Sequence, residues 1–227
     1  MIIGGLQKTS LIDYPNKIAA IVFTQGCNFK CGYCHNPELI EVKESGYKIK
    51  EVLDFLESRI GKLDGVVITG GEPTLQKGLK EFVQEIKFMK FSVKLDTNGT
   101  NPTLLEELIN ERLVDYIAMD IKSPLKRYEE ITNSKVTAEN ISKSINIISS
   151  SAIDYEYRTT VVSDFFTIDD FEEIGKLISG AKRYYLQNFV SSKLLDPTFI
   201  DKTAPSEDQM SSIKTLLSKY IQEVYIR

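Results

Sequence analysis

The sequence predicts an α/β fold made of about six strand–helix units with parallel strands. Short apolar runs rich in β-branched residues alternate with segments whose apolar residues recur at helical spacing, through most of the 227 residues. No repeat, low-complexity tract or linker interrupts this alternation. Crossover helices between successive strands make parallel pairing the expected arrangement.

The predicted strands are short apolar runs bounded by turn-forming residues. The first, KIAAIVF, lies between Pro15 and Gly26 and follows an extended N-terminal piece. The six strands are predicted at residues 17–23, 65–69, 91–95, 116–121, 155–162 and 183–189.

The predicted helices have one apolar and one charged face. Pro102 suits the first turn of the third helix. The six helices are predicted at residues 50–62, 75–89, 102–113, 138–149, 168–178 and 207–220. This periodicity fits both a doubly wound sheet and an incomplete barrel, and either one places its ligand at the C-terminal ends of the strands.

Composition narrows the class of protein. Apolar residues make up 42% and charged residues 26%, so a core forms without disulfides, and a net charge of -4 argues against a broad nucleic-acid surface. The N-terminus lacks a signal-peptide pattern, and no apolar run is long enough to span a membrane, which predicts a cytoplasmic protein. We expect one domain over residues 1–227, with an N-terminal extension to about residue 16 and a C-terminal helical segment from about residue 195.

All three cysteines lie in one C-x3-C-x2-C loop, Cys27, Cys31 and Cys34, directly after the first strand. An odd, compact set favours a shared metal ligand over a disulfide framework. A structural zinc site wants four ligands, and His35, the only histidine, adjoins Cys34; zinc is disfavoured but stays open. An iron–sulfur cubane normally takes four thiolates, so three cysteines imply either a ligand from elsewhere or one iron left open.

This loop, with Tyr33 immediately before its last cysteine, resembles the signature of the radical S-adenosylmethionine (radical SAM) superfamily. The resemblance implies that Cys27, Cys31 and Cys34 hold a [4Fe–4S] cluster and that S-adenosylmethionine chelates the remaining iron. It also implies a partial (β/α)6 TIM-like barrel and a place for Tyr33 beside the adenine. The alternative is that Tyr33 only packs within the loop and contacts no cofactor.

A second motif, Gly70-Gly71-Glu72, follows the second strand. Paired glycines let a backbone approach a ligand closely, although such a turn is also ordinary between a strand and a helix. The string resembles the GGE motif of the same superfamily, which implies contact with the methionine amino group of the cofactor.

Charged residues end three later strands. Asp96 lies in LDTNG, which resembles a segment lining the cofactor pocket of glycyl-radical activating enzymes, and Asp120 and Lys122 resemble a D-x-K element facing the cofactor. Arg158 matches a basic residue of these enzymes. The plain alternatives are a structural turn at Asp96, pairing of Asp120 with Lys122, and an exposed arginine.

The run CGYCHNP, with the opening GGLQKTSLIDYPNKIAAIVFTQG, resembles glycyl-radical activating enzymes, above all the activating proteins of anaerobic ribonucleoside-triphosphate reductase. The resemblance covers Ile3 to about Phe189. It implies reduction by a one-electron donor such as flavodoxin or ferredoxin, and cleavage of S-adenosylmethionine to methionine and a 5′-deoxyadenosyl radical. That radical takes hydrogen from a glycine Cα of a partner enzyme. The alternatives are a small-molecule substrate such as a modified purine, or a non-catalytic iron–sulfur or zinc protein.

Overall fold

The computed structural model describes residues 1–43 and 46–227. Its strands form one sheet in which each strand lies beside its neighbours in the chain. The first two strands are antiparallel and all later pairs are parallel. The strands are β1 (Ile3–Ser10), β2 (Ala19–Thr24), β3 (Gly65–Gly70), β4 (Ser92–Thr97), β5 (Tyr116–Asp120), β6 (Asp154–Val161), β7 (Arg183–Asn188) and β8 (Glu223–Ile226).

Helices connect the parallel strands, and polar side chains cap several of them. Asn101 accepts a hydrogen bond from the Leu104 amide, and Thr167 accepts one from the Asp170 amide, so donors of the first turn are satisfied. The helices are α1 (Ile49–Glu57), α2 (Leu79–Phe88), α3 (Pro102–Asn110), α4 (Tyr128–Thr132), α5 (Ala138–Ser150), α6 (Ile168–Leu177) and α7 (Glu207–Leu217).

The strand order decides between the two architectures left open by the sequence. A doubly wound sheet reverses its order at a switch point, whereas here the order runs from β1 to β8 without reversal. Among the described residues the outer strands β1 and β8 do not pair with each other, so the sheet stays open. This is the partial TIM-like barrel that was predicted.

Three elements lie outside the predicted set. The N-terminal piece, expected only to be extended, forms the strand β1, which pairs antiparallel with β2. The stretch 123–135, for which no element was predicted, contains the short helix α4. The segment after about residue 195 was expected to be helical, which is wrong for its end: α7 is followed by β8, which pairs in parallel with β7. Only Val224 of β8 is buried, so four residues carry too little apolar alternation to reveal a strand.

The two faces of the sheet have different surroundings because successive strand residues point to opposite sides. Val93 and Leu95 of β4 belong to the large apolar core that also contains helix residues. On the opposite face, a small apolar cluster includes Ile21, Val67 and Ala118. We call the first the outer face and the second the inner face.

No helix in the described part of the chain is long and apolar enough to cross a membrane.

Candidate active site

A cavity of about 200 Å³ lies at the C-terminal ends of the parallel strands. It brings together every candidate site residue that the sequence singled out, although these come from five segments of the chain. They are Cys27, Cys31, Tyr33, Cys34, Gly70, Gly71, Glu72, Asp96, Asp120, Lys122 and Arg158. Their common location is therefore established, whereas the role of each toward a bound group stays a prediction.

The backbone of the cysteine loop is hydrogen-bonded to two other segments. The Cys27 amide donates to the Ile40 carbonyl at 3.0 Å, and the Lys30 amide donates to the Thr132 carbonyl at the end of α4 at 2.9 Å. Within the loop, the Cys34 amide donates to the Cys31 carbonyl at 3.0 Å, which closes the turn between the last two cysteines. The loop is thus fixed at several points along its length.

All three thiols line the cavity wall, and burial raises the pKa of each. Burial raises the pKa of Cys27 to about 12, opposed by a hydrogen bond that the Phe29 amide donates to its Sγ at 3.4 Å. Because iron binds the thiolate form, loading this loop releases protons. Within residues 1–43 and 46–227, no three histidine, cysteine, aspartate or glutamate side chains are arranged to hold a single metal ion.

The two glycines of the GGE motif pack against the chain that leads into the cysteine loop. Gly70 has a φ of 114°, and a Cβ there would lie 2.4 Å from the Thr24 amide nitrogen; a Cβ on Gly71 would lie 2.2 Å from the Gly26 carbonyl oxygen. The close approach that glycine permits here is therefore to the protein's own backbone. Contact of this turn with a ligand stays a prediction.

Glu72 joins the GGE turn to the end of β4. It is 1% exposed, and its Oε1 accepts hydrogen bonds from the Thr74 amide at 3.0 Å and the Thr97 hydroxyl at 2.7 Å, while Oε2 accepts one from the Asn98 amide at 2.6 Å. Burial raises the pKa of Glu72, and these hydrogen bonds oppose the rise without cancelling it. Since a carboxylate oxygen accepts about two hydrogen bonds, Oε2 keeps capacity for one more donor.

Five alternating charges form a chain across the inner face. Lys94 Nζ lies 2.6 Å from Asp96 Oδ1, and Arg158 bridges both carboxylates, with Nη1 at 3.1 Å from Asp96 and Nε at 2.8 Å from Asp120. Lys122 Nζ completes the chain at 2.9 Å from Asp120 Oδ2. Burial raises the pKa of Asp96 and of Asp120, but Arg158 and the lysines outweigh it, so both pKa values lie below their usual range.

The structure also decides the plain alternatives for these charged residues. Asp120 and Lys122 do pair with each other, but within the larger network. The Arg158 side chain is 12% exposed, so it is not a surface arginine. Lys94, whose side chain is 4% exposed, was missed by the sequence reasoning. Its signal was present: Lys94 and Asp96 are two residues apart on one strand, the same spacing as Asp120 and Lys122.

Asn98, which follows β4 in the LDTNG segment, connects two loops of the site. Its Nδ2 donates to Asn28 Oδ1 at 2.9 Å, and Asn28 Nδ2 donates to Thr100 Oγ1 at 3.0 Å. These bonds tie the cysteine loop to the loop after β4. No pattern in the sequence relates positions so far apart in the chain, so tertiary structure alone reveals this pair.

The Tyr33 ring packs against two other aromatic rings, and its hydroxyl is buried. Its ring centroid lies 5.9 Å from Phe165 and 6.1 Å from Phe199, and the side chain is 3% exposed. Among the described residues, its buried hydroxyl has no hydrogen-bond partner. A buried unpaired donor is costly unless a ligand or water satisfies it. Three thiols and this hydroxyl in one cavity fit a cluster with a polar cofactor beside it.

The barrel and the three-thiol cavity define a class, an α/β-barrel enzyme with a cysteine-held centre at the C-terminal face. A family model for the radical SAM superfamily matches residues 21–178. The chain belongs to the radical SAM superfamily, within the group of its enzymes named for activating glycyl-radical enzymes. This membership implies a [4Fe–4S] cluster and S-adenosylmethionine as cofactors, and it sets aside the non-catalytic interpretation.

Two relatives and one solved structure illustrate the similarity. The chain is 36% identical over its full length to a putative glycyl-radical enzyme activating enzyme of Methanocaldococcus jannaschii, covering 95% of that protein. A second protein of that organism with the same description is 30% identical over 98% of the chain and 85% of its own length. Streptococcus suis SuiB, solved with S-adenosylmethionine, shares the fold with a TM-score of 0.69 at 12% identity; 91% of the chain aligns to 49% of SuiB.

Proposed function

We propose that this protein is an activase that generates a glycyl radical on a partner enzyme, and that the partner is anaerobic ribonucleoside-triphosphate reductase. One observation carries the cofactor chemistry that an activase requires: the three thiols share a cavity with every residue assigned to the cofactor. The match to a putative glycyl-radical enzyme activating enzyme over the whole chain supports the same role. The choice of reductase rests on the CGYCHNP run and the N-terminal segment before it.

In this proposal Cys27, Cys31 and Cys34 hold the [4Fe–4S] cluster. When bound, the cluster and S-adenosylmethionine supply a one-electron cleavage whose organic radical removes hydrogen from the partner's glycine. An external donor such as flavodoxin or ferredoxin provides the electron. The residues proposed to hold S-adenosylmethionine are Tyr33, Gly70, Gly71, Glu72, Asp96, Asp120, Lys122 and Arg158.

The charge network suits one end of that cofactor. It combines the cations Lys94, Lys122 and Arg158 with the carboxylates of Asp96 and Asp120, so it carries an excess positive charge. Lys122 uses one of its three ammonium protons on Asp120, which leaves donors for the cofactor carboxylate. Oε2 of Glu72 keeps acceptor capacity for the cofactor amino group. The chain thereby binds and orients the methionine portion.

The same geometry limits the freedom of the cavity wall. Arg158 holds the ends of β4 and β5 together through their carboxylates, and Glu72 holds the GGE turn to the end of β4. Groups fixed before binding lose little entropy when a cofactor arrives. We therefore expect the cavity to be formed before S-adenosylmethionine binds.

The test is anaerobic reconstitution with iron and sulfide, followed by reduction in the presence of S-adenosylmethionine. Wild type should form 5′-deoxyadenosine by chromatography, and Cys31→Ala should not, because the cluster loses a ligand. Adding anaerobic ribonucleotide reductase should then produce a glycyl-radical signal in electron paramagnetic resonance (EPR) spectra. Replacing the partner's radical-bearing glycine with alanine should abolish this signal, which would assign the radical to that glycine.

Other outcomes separate the alternatives. A radical signal on pyruvate formate-lyase, with none on the reductase, would disprove the choice of partner while leaving the activase proposal intact. Formation of 5′-deoxyadenosine that depends on an added purine nucleotide, with no radical on either enzyme, would favour the small-molecule alternative.

A further inference from the structure

Two long loops meet at the mouth of the barrel. One joins β2 to α1 and contains the cysteine loop, and the other joins β7 to α7 over residues 189–206. Loops of this length without extended regular structure are commonly functional. The second, which we call the β7–α7 loop, lies entirely outside the family match at residues 21–178.

The β7–α7 loop contacts the cysteine loop through its backbone. The Asp196 amide donates to the Gly32 carbonyl at 3.0 Å, in the middle of the turn between Cys31 and Cys34. His35, directly after Cys34, has its Nε2 at 2.9 Å from the Val190 carbonyl oxygen. Contacts on both sides of Cys34 thus come from one loop.

Phe199 fills the space next to Gly32. A Cβ on Gly32 would lie 2.5 Å from a ring carbon of Phe199, so this ring fits against the turn only because position 32 has no side chain. The ring also packs edge-on against Phe165, with centroids 5.3 Å apart at 84°. Together with Tyr33, Phe165 and Phe199 form a cluster of three rings that touch pairwise.

The β7–α7 loop is itself anchored, so it can act as a rigid support. Asp196 accepts a hydrogen bond from the Thr198 amide at 2.9 Å and begins the 3-10 turn Pro197–Phe199. The Ser191 hydroxyl donates to the Ile200 carbonyl at 2.6 Å, and the Ser163 amide donates to the Thr203 carbonyl at 2.8 Å. These bonds fix the position of Phe199 from both directions.

We propose that Phe199 is a positioning residue for the cysteine loop, acting through Gly32 to hold Cys31 and Cys34 in the geometry that receives the cluster. Phe199 acts on the loop and not on the reacting atoms. This inference goes beyond the activase role, because it assigns a task to the part of the chain outside the family match. It also holds for any centre that these cysteines bind.

The test measures the thiols of the metal-free protein, so it does not depend on enzyme activity. Each cysteine is alkylated with iodoacetamide under anaerobic, reducing conditions, and its rate is followed by mass spectrometry. Cys31 is 6% exposed. We expect Phe199→Ala to raise its alkylation rate by about tenfold, because a buried thiol reacts only from locally opened states. Cys27, held by Ile40 on the other side of the loop, should change far less.

Gly32→Ala and the double variant make the test specific. The added methyl group conflicts with the Phe199 ring, so Gly32→Ala alone should also raise the Cys31 rate. In Gly32→Ala/Phe199→Ala the conflict with the ring is removed and only the milder approach to Asp196 Cβ, at 3.2 Å, remains, so the rate should fall below that of either single variant. Such non-additivity is expected for groups in contact and not for distant, independent sites. Ile200→Ala, in the same loop with a side chain 54% exposed, is the matched control and should react like wild type.

A second readout follows the loaded loop. In reconstituted protein, Phe199→Ala should alter the EPR spectrum of the reduced cluster and speed the loss of iron to a chelator, and Phe199→Leu should restore most of both. Strictly additive effects in the double variant, or a wild-type Cys31 rate in Phe199→Ala, would refute the proposal. So would equal increases at all three cysteines in both Phe199→Ala and Phe199→Leu, because they would report general unfolding.

Discussion

Three consecutive residues of β4 show how differently the two faces of the sheet are built. Leu95 points to the outer face and is completely buried in the core shared with the helices. Its neighbours Lys94 and Asp96 point to the inner face and pair with each other at 2.6 Å. The outer face therefore holds the fold together by apolar burial, whereas the inner face concentrates charge next to the cavity.

The two faces also differ in how well they tolerate substitutions and shifts in strand register. Apolar packing is non-directional, so outer-face residues of similar volume can replace one another at modest cost. The inner network depends on register: Asp120 of β5 lies directly opposite Arg158 of β6 in the sheet. A shift of one residue in any of these strands would turn that strand's charges to the apolar face. The comparison predicts that outer-face changes affect stability, whereas inner-face changes affect the site as well.

The largest effect on stability should come from Leu95→Ala. Removing a fully buried leucine side chain leaves a cavity, and we expect the free energy of unfolding to fall by about 3 to 5 kcal/mol. Urea unfolding of the metal-free protein measures this loss. Formation of 5′-deoxyadenosine per folded molecule should change little. Leu11→Ala, at a leucine 72% exposed, is the control and should leave stability near wild type. A selective loss of turnover in Leu95→Ala would contradict the division between the faces.

Arg158→Met should lower the free energy of unfolding somewhat less than Leu95→Ala does, but it should reduce the activity of the folded protein more. It leaves the largely buried carboxylates of Asp96 and Asp120 without their shared cation, and we expect a loss of about 2 to 4 kcal/mol, the lower end reflecting the 26% exposure of Asp120. Unlike Leu95→Ala, it should also strongly reduce 5′-deoxyadenosine formation per folded molecule. Arg158→Lys keeps the charge and should lie between the two in both measurements. Normal 5′-deoxyadenosine formation in Arg158→Met would show that the charge network has no part in cofactor binding.

The smallest effect concerns a charge outside the barrel, at the start of α6. Burial raises the pKa of Asp170, but hydrogen bonds from Thr167 and the charge of Arg127, at 2.5 Å, more than offset this, so its pKa lies below the usual value. A lowered pKa stabilises the fold above the unfolded-state pKa, and that stability is lost as pH falls through the folded-state pKa. Asp170→Asn should therefore cost about 1 to 2 kcal/mol at neutral pH.

The pH dependence is the signature of that prediction. The difference in unfolding free energy between wild type and Asp170→Asn should shrink as pH falls from about 5 toward 3, because the wild-type carboxylate then becomes protonated. Asp169→Asn, a neighbouring exposed position in the same first turn, provides the matched control. A difference that stays constant over this range would show that charge at position 170 is not responsible.

Much of the fold could be predicted because helical and strand periodicities are local properties. All six predicted strands and six predicted helices correspond to observed elements, with ends shifted by a few residues, such as α1 ending at Glu57 instead of Lys62. The strand β8 could not be predicted, because its four residues are mostly exposed and its pairing with β7 depends on where α7 returns the chain. The helix α4 lies in a stretch too short and polar to show a period.

The location of the site could also be predicted, since parallel strands place their C-terminal ends at one face. Asp96, Asp120 and Arg158, from three strands, do line one cavity. What the sequence did not show is how they connect. Arg158 joins two carboxylates, and Lys94 extends the chain of charges on the far side of Asp96.

The sequence alone therefore determined the α/β class, the three-cysteine loop and the strand ends that carry polar residues, because each depends on neighbours in the chain. Tertiary structure alone decided the open order of eight strands, the bond between Asn28 and Asn98, and the packing of Phe199 against Gly32. These contacts join residues far apart in sequence, and they form only when the completed sheet brings its loops to one end of the barrel.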